Sequence, residues 1–318
     1  YPFPDGRRAY DPAALVAAIE AEDEAGALAL ARGALDAGLR YRDIEEALAE
    51  AALAHYQDFG HALIYTHKTG ELIERLGPES TEPLLLSLVR SLVYATREDL
   101  IPEFRAYRPA LEAWDGRGAE PITAQDLLGL SVPKVLARIN ASSGDRRAVY
   151  DALIGAASWQ FLHYDMNIMA AVDKPVSQNV GWLDFSHAIT FGNAVRSLCN
   201  RYPRLWPQGL LQIACFIGRN AGFVDKELDT TSWRVDDPTA FLDEALKGLL
   251  DHGLFEYIVS IHHVKLLSAV KDEVEAAPEA PWVPLLLAAV NRFANSPFKR
   301  KHSLRTAHQA LGFVAAEG

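Results

Sequence analysis

Histidine is the residue type in this chain most able to do chemistry: ten imidazoles, several inside stretches rich in Ala and Leu. An imidazole among apolar neighbours is costly unless its ring nitrogens find partners. For any single one, the ordinary reading is a core or surface histidine bonded to a neighbour. Their clustering points further, to metal ligation or proton transfer near neutral pH. His55, Asp58 and His61 are spaced three apart, which on a helix makes one stripe. The carboxylate of Asp58 is then placed to hold a ring nitrogen of a metal-binding histidine. The octet from Asp58 to Tyr65 (DFGHALIY) matches the octet from Asp184 to Phe191 (DFSHAITF), so two helices are expected to present His61 and His187 alike. Further on, His262 and Lys265 lie one turn apart in a stretch apolar nearly all round, read as a buried helix. A buried ammonium needs a reason. Lys265 either pairs with an acid, snorkels to the surface, or exists as a neutral amine that captures carbon dioxide as a carbamate, an anionic oxygen ligand. His263 falls on a more polar row with His252 and Glu256, which favours His262 as the ligand. His302, Arg305 and His308 are again three apart, after the basic run Lys299, Arg300 and Lys301. They form either a basic helix end or a last metal ligand, with Arg305 binding an anionic substrate or an acid.

Around these residues the chain reads as helix almost throughout, since Val/Ile/Thr alternation is scarce. Asp11-Pro12 and Asp237-Pro238 pair a capping acid with proline at the first helical position. One long helical tract is expected from Tyr41 to Leu76, stopped by Gly77-Pro78. Others follow over 81–98, 123–139, 145–172, 184–202, 207–221, 237–251, 254–276, 284–295 and 302–315. The stretch 102–121, rich in Pro, Gly and charge, reads as a loop or lid. The expected architecture is all-α, a compact bundle of about twelve helices in one domain over 1–318, with candidate halves 1–120 and 121–318 as a pseudo-repeat.

Composition narrows the function. The chain has 318 residues, with 31 Lys plus Arg against 42 Asp plus Glu, a net charge of −11. Nucleic-acid binding needs clustered positive charge and is not expected. Two cysteines make no disulfide framework and no CxxC is present. No apolar run approaches a membrane span, no basic stretch precedes an apolar run at the start, and a cytoplasmic protein is expected. Glycine-rich phosphate loops, G-x-S-x-G and H-E-x-x-H motifs and EF-hand loops are lacking.

These features together resemble the questin oxidase-like family. The resemblance rests on the helix carrying His61, the stretch Gly181-Trp182-Leu183-Asp184-Phe185-Ser186-His187-Ala188, the segment His262-His263-Val264-Lys265, and the run His302-Ser303-Leu304-Arg305-Thr306-Ala307-His308. It spans roughly residues 45 to 315. It implies an all-α fold and an oxygenase that oxidises aromatic polyketides, including dioxygen-dependent cleavage of quinone rings. It also implies a mononuclear non-haem Fe(II) bound by His61, His187, His262 and His302, with Lys265 as a further ligand when carbamylated. Bacterial members that accompany a Rieske iron–sulfur domain look closer than fungal ones. No Rieske cysteine–histidine pairs occur here, so any reducing electrons come from an electron-donor protein or from the substrate. Tyr65, Trp159, Trp182 and Phe191 are the candidates to line a pocket for a flat phenolic or quinone-like substrate. His55 or His308 would shuttle the proton.

Two other classes remain open. A di-iron carboxylate protein is suggested by the two D-x-x-H segments, although such sites normally use Glu and need two more donors, of which Glu256 is one candidate. A non-enzymatic helical scaffold would show fixed-period repeats, and only the octet recurs.

Overall fold

A computed structural model describes residues 2–170, 180–249 and 257–296 and, near the C-terminus, 307–308, 310–312 and 314–315. The fold is all-α: 72% helical, with no strands among the described residues and twelve helices of seven or more residues there. It divides into two compact units, one of residues 1–119, 136–146 and 194–215, the other of 120–135, 147–193 and 216–318. Each unit is thus assembled from three separate stretches of chain.

The first unit is built on α1 (Pro12–Glu20), α2 (Glu24–Asp36), α3 (Tyr41–Leu53), α4 (His61–Leu76), α5 (Thr81–Val93) and α6 (Tyr107–Glu112). Asp11 caps α1 by accepting from the Ala14 amide at 2.7 Å, with Pro12 at the first position, as the sequence leads one to expect. Leu15, Leu28, Ile44, Leu63, Leu85 and Val89 are fully buried and form its core. Glu45 is also fully buried, and its charge is met by the guanidiniums of Arg42 and Arg201.

The tract expected as one helix from Tyr41 to Leu76 is two helices. The last carbonyls of α3, orphaned at any helix end, are taken by side-chain amides. Gln57 Nε2 donates to the Ala51 and Ala52 carbonyls at 3.0 and 3.1 Å, and Gln212 Nε2 donates to the Leu53 carbonyl at 2.9 Å. The chain then runs through a short 3₁₀ turn, Asp58–Gly60, before α4 starts at His61. His55, Asp58 and His61 therefore share no helical stripe. The stretch 102–121, expected as a loop or lid, contains α6. Tyr107 is fully buried there, donates to the Leu53 carbonyl at 3.2 Å and accepts from Gln212 at 2.9 Å. An aromatic anchor in the core overrides the Pro- and Gly-rich composition.

The second unit contains the start of α7 (Val132–Ala141), most of α8 (Arg146–Leu162), α9 (Asn167–Ala170), the first part of α10 (Trp182–Arg201), the end of α11 (Trp206–Asn220), α12 (Pro238–Gly248), α13 (Tyr257–Ala276) and α14 (Val283–Asn295). Asp237 caps α12 through the Ala240 amide at 3.0 Å. Gly218 lets α11 pack against α7, since a Cβ there would stand 2.4 Å from the Val132 Cα. Trp182, Phe161, Tyr164 and Phe293 form an aromatic cluster. Arg292 sits over the Trp182 ring and donates to the carbonyls of Leu162 and Tyr164. Glu273, fully buried near the end of α13, accepts from the Tyr150 hydroxyl at 2.8 Å and from Asn193 Nδ2 at 2.9 Å, tying α13 to α8 and α10. The expectation that α13 is buried all round is corrected: Ile258, Ile261 and Val264 are exposed. The buried face is the one carrying His262, His263 and Leu266.

Candidate metal centre

In the second unit, α10 and α13 bring His187 and His262 together. Both are buried, and their Nε2 atoms stand 3.4 Å apart. The other nitrogen of each ring faces a backbone carbonyl one turn back on its own helix: His187 Nδ1 meets the Leu183 carbonyl and His262 Nδ1 the Ile258 carbonyl. A carbonyl oxygen only accepts, so Nδ1 must carry the proton in both rings. In the neutral rings Nε2 then holds a lone pair, and two lone pairs face each other across 3.4 Å. Such an arrangement is favourable around a shared cation. Fixing the ring through Nδ1 to present Nε2 is also how metal-binding histidines are oriented.

Lys265, one turn beyond His262, brings Nζ to 3.0 Å from His187 Nε2. Burial pulls its pKa down to about 8, and the amine is aimed at the same imidazole nitrogen that faces His262. The donor set, two imidazoles of one tautomer beside a half-buried amine, fits a divalent transition metal that prefers nitrogen ligands, Fe(II) among them. His61 belongs to the first unit, where it is half-buried and its ring uses the same device, Nδ1 donating to the Asp58 carbonyl at 2.8 Å.

The remaining sequence candidates sit elsewhere. His55, expected as a proton shuttle, has both ring nitrogens occupied by acids: Nδ1 on Asp99 at 2.9 Å and Nε2 on Glu20 at 2.9 Å. The Asp99 bond, above all, raises its pKa, since carboxylates at both nitrogens favour the protonated ring. His302, Arg305, His252 and Glu256 lie outside the described residues. His308 is exposed. Of the four aromatics expected to line a pocket, Tyr65 is partly exposed on α4, its ring centroid 5.2 Å from that of His61. Trp159 stacks on His163 at 4.0 Å and lines a separate cavity of about 480 Å³ with Gly155 and Trp282. Trp182 and Phe191 are buried in the core, against Phe161 and Phe216 respectively, and serve packing there. The octets correspond only in part. His187 lies inside α10, whereas His61 is the first residue of α4. Asp184 caps α10 through the Gly181 amide, while Asp58 offers His61 its backbone carbonyl.

Asp99 and Glu20 left no sequence signal as partners of His55, because neither is near it in the chain. The carbonyls of Asp58, Leu183 and Ile258 left none either, since a carbonyl three or four residues before a histidine is present on every helix and marks nothing. Known proteins add no constraint: no family model matches the chain, and no curated protein or solved structure matches it.

Proposed function

We propose that this chain is a non-haem Fe(II)-dependent oxygenase acting on an aromatic, phenolic or quinone-like small molecule. The observation that carries the metal reading is the facing of His187 and His262 through Nε2, 3.4 Å apart, with each Nδ1 given to a carbonyl. The choice of iron and of the substrate class rests on the resemblance of the histidine segments to questin oxidase-like proteins.

In this reading His187 and His262 hold the metal and the carbonyls of Leu183 and Ile258 fix their rings. Bound Fe(II) would supply activation of dioxygen for oxidation of the ring, with carbon–carbon bond cleavage as the outcome the resemblance implies. Lys265 contributes in one of two forms. As the free amine it donates to His187 Nε2 only while no metal takes that lone pair. As a carbamate, formed when the amine nitrogen attacks carbon dioxide and releases a proton, it offers an anionic oxygen. The low pKa that burial gives the amine favours this uptake near neutral pH. Dioxygen and, where the reaction needs electrons, a donor protein are the proposed partners. Among the described residues no helix is long and apolar enough to cross a membrane.

Anaerobic Fe(II) titration with elemental analysis tests this reading. About one iron per chain is expected. His187→Ala and His262→Ala should abolish loading while the helical circular-dichroism signal stays unchanged. Normal loading of both variants overturns the centre, and two irons per chain would favour a di-iron protein.

A further inference from the structure

Helix α8 carries Ala148, Asp151, Ala152, Gly155 and Trp159 at spacings of three and four, which makes them one face of the helix. That face borders a cavity of about 480 Å³ in the second unit, lined on its other sides by apolar groups such as Leu128, Leu285 and the Trp282 ring. Small-molecule sites have this size, about 300–1,000 Å³, with mostly apolar walls and a few placed polar groups. The three small residues of the row leave the room. Asp151 and Trp159, roughly 12 Å apart along the helix axis, carry the chemistry.

Trp159 is stacked on His163, with ring centroids 4.0 Å and planes 14° apart. His163 Nδ1 donates to the Trp159 carbonyl at 2.9 Å, which fixes the imidazole behind the indole. Burial, above all, lowers the pKa of His163, so that ring is uncharged at neutral pH. An uncharged neighbour leaves the electron-rich indole able to attract a cation. Trp282 in turn orients the acid, its Nε1 donating to Asp151 Oδ1 at 3.0 Å. Asp151 Oδ2 is paired with Arg147 Nε at 2.8 Å, but the Arg147 side chain is 60% exposed, and water screens such a pair. Arg147 does not border the cavity, and among the described residues Asp151 is the only charged side chain that does.

We propose that this cavity binds a planar aromatic amine in its protonated form, the ring held against Trp159 and Trp282 and the ammonium met by the Asp151 carboxylate. Charge decides the class. An anionic aromatic would meet an acid and no base on the walls, and a neutral one would gain the aromatic contacts alone. Neither His187, His262 nor Lys265 borders the cavity. The site therefore goes beyond the metal reading, and its test needs no metal.

That test is isothermal titration calorimetry of the full-length chain with three indoles that differ in charge: tryptamine, indole and indole-3-acetate. Tryptamine should bind tightest and indole-3-acetate weakest. Equal affinities, the reverse order, or no binding of tryptamine at millimolar concentration overturns the proposal. Asp151→Asn keeps an acceptor for Trp282 Nε1 and removes the charge, so it should weaken tryptamine roughly tenfold and leave indole unchanged. Arg147→Ala removes the competing cation and should tighten tryptamine about two- to threefold, a gain that a damaged fold does not produce. Trp159→Leu keeps an apolar wall without the π face and should weaken tryptamine roughly tenfold. Tryptamine binding undiminished in both Asp151→Asn and Trp159→Leu places the amine elsewhere and overturns the site.

Discussion

His55 of the first unit and the pair His187 and His262 of the second use the same side chain in opposite ways. In the first unit His55 lies between Asp99 and Glu20, both ring nitrogens given to carboxylates. In the second unit His187 and His262 give one nitrogen each to a carbonyl and turn the other toward an imidazole or an amine. An acid stabilises the imidazolium, so His55 forms a buried ion pair. A carbonyl stabilises only one tautomer of the ring and leaves the second nitrogen basic, so His187 and His262 are suited to ligate. Burial alone separates nothing here, since all three rings are nearly inaccessible. The nature of the partner decides.

Removing one ring from each cluster should give the most severe divergence. His187→Ala should eliminate metal loading altogether, whereas His55→Ala should load normally, both measured by elemental analysis after anaerobic reconstitution. Loss of loading in His55→Ala would show that the first cluster also serves the metal. Next in size is a stability effect confined to the ion pair. Asp99→Ala leaves the buried His55 ring with only the half-exposed Glu20, and should cost about 3 kcal/mol in chemical denaturation with no change in metal affinity. A smaller effect is expected at Lys265. Lys265→Ala should lower metal affinity roughly tenfold and reduce turnover, and added bicarbonate should not restore either. Full activity in that variant would reduce the amine to packing.

The least in magnitude, but the most discriminating, is the sign of the pH dependence. The folded-state pKa of His55 is raised by its hydrogen bond to Asp99, then by Glu20. Its protonated form is therefore favoured in the fold. The stability it contributes is present in full below the unfolded value of about 6.5 and is lost as pH rises through the higher folded value. Metal loading at the other cluster should run the opposite way, weakening on acidification because imidazoles must be unprotonated at Nε2 to ligate. Parallel pH profiles of denaturation midpoint and metal affinity check this. Asp99→Ala should flatten the first profile and leave the second untouched.

Much of the helical framework was legible in advance because its signals are local. Asp11-Pro12 and Asp237-Pro238 cap their helices where expected, and Gly77-Pro78 ends α4. On α13 the apolar row of His262 turns that ring toward His187, while His263 packs against Phe293. The break between α3 and α4 was not legible. The residues there are continuous in helical pattern, and what takes the last carbonyl of α3 is Gln212, 159 residues further along the chain. The same holds for Tyr107, whose burial turned an expected lid into an anchored segment.

Helicity, helix ends and the placing of histidines among apolar neighbours could be read from residue order, because periodicity and capping act over one or two turns of chain. The task of each histidine could not. A ring nitrogen takes its character from the atom opposite it, and for His55, His187 and His262 at least one such atom arrives from a distant part of the chain, brought there by helix packing.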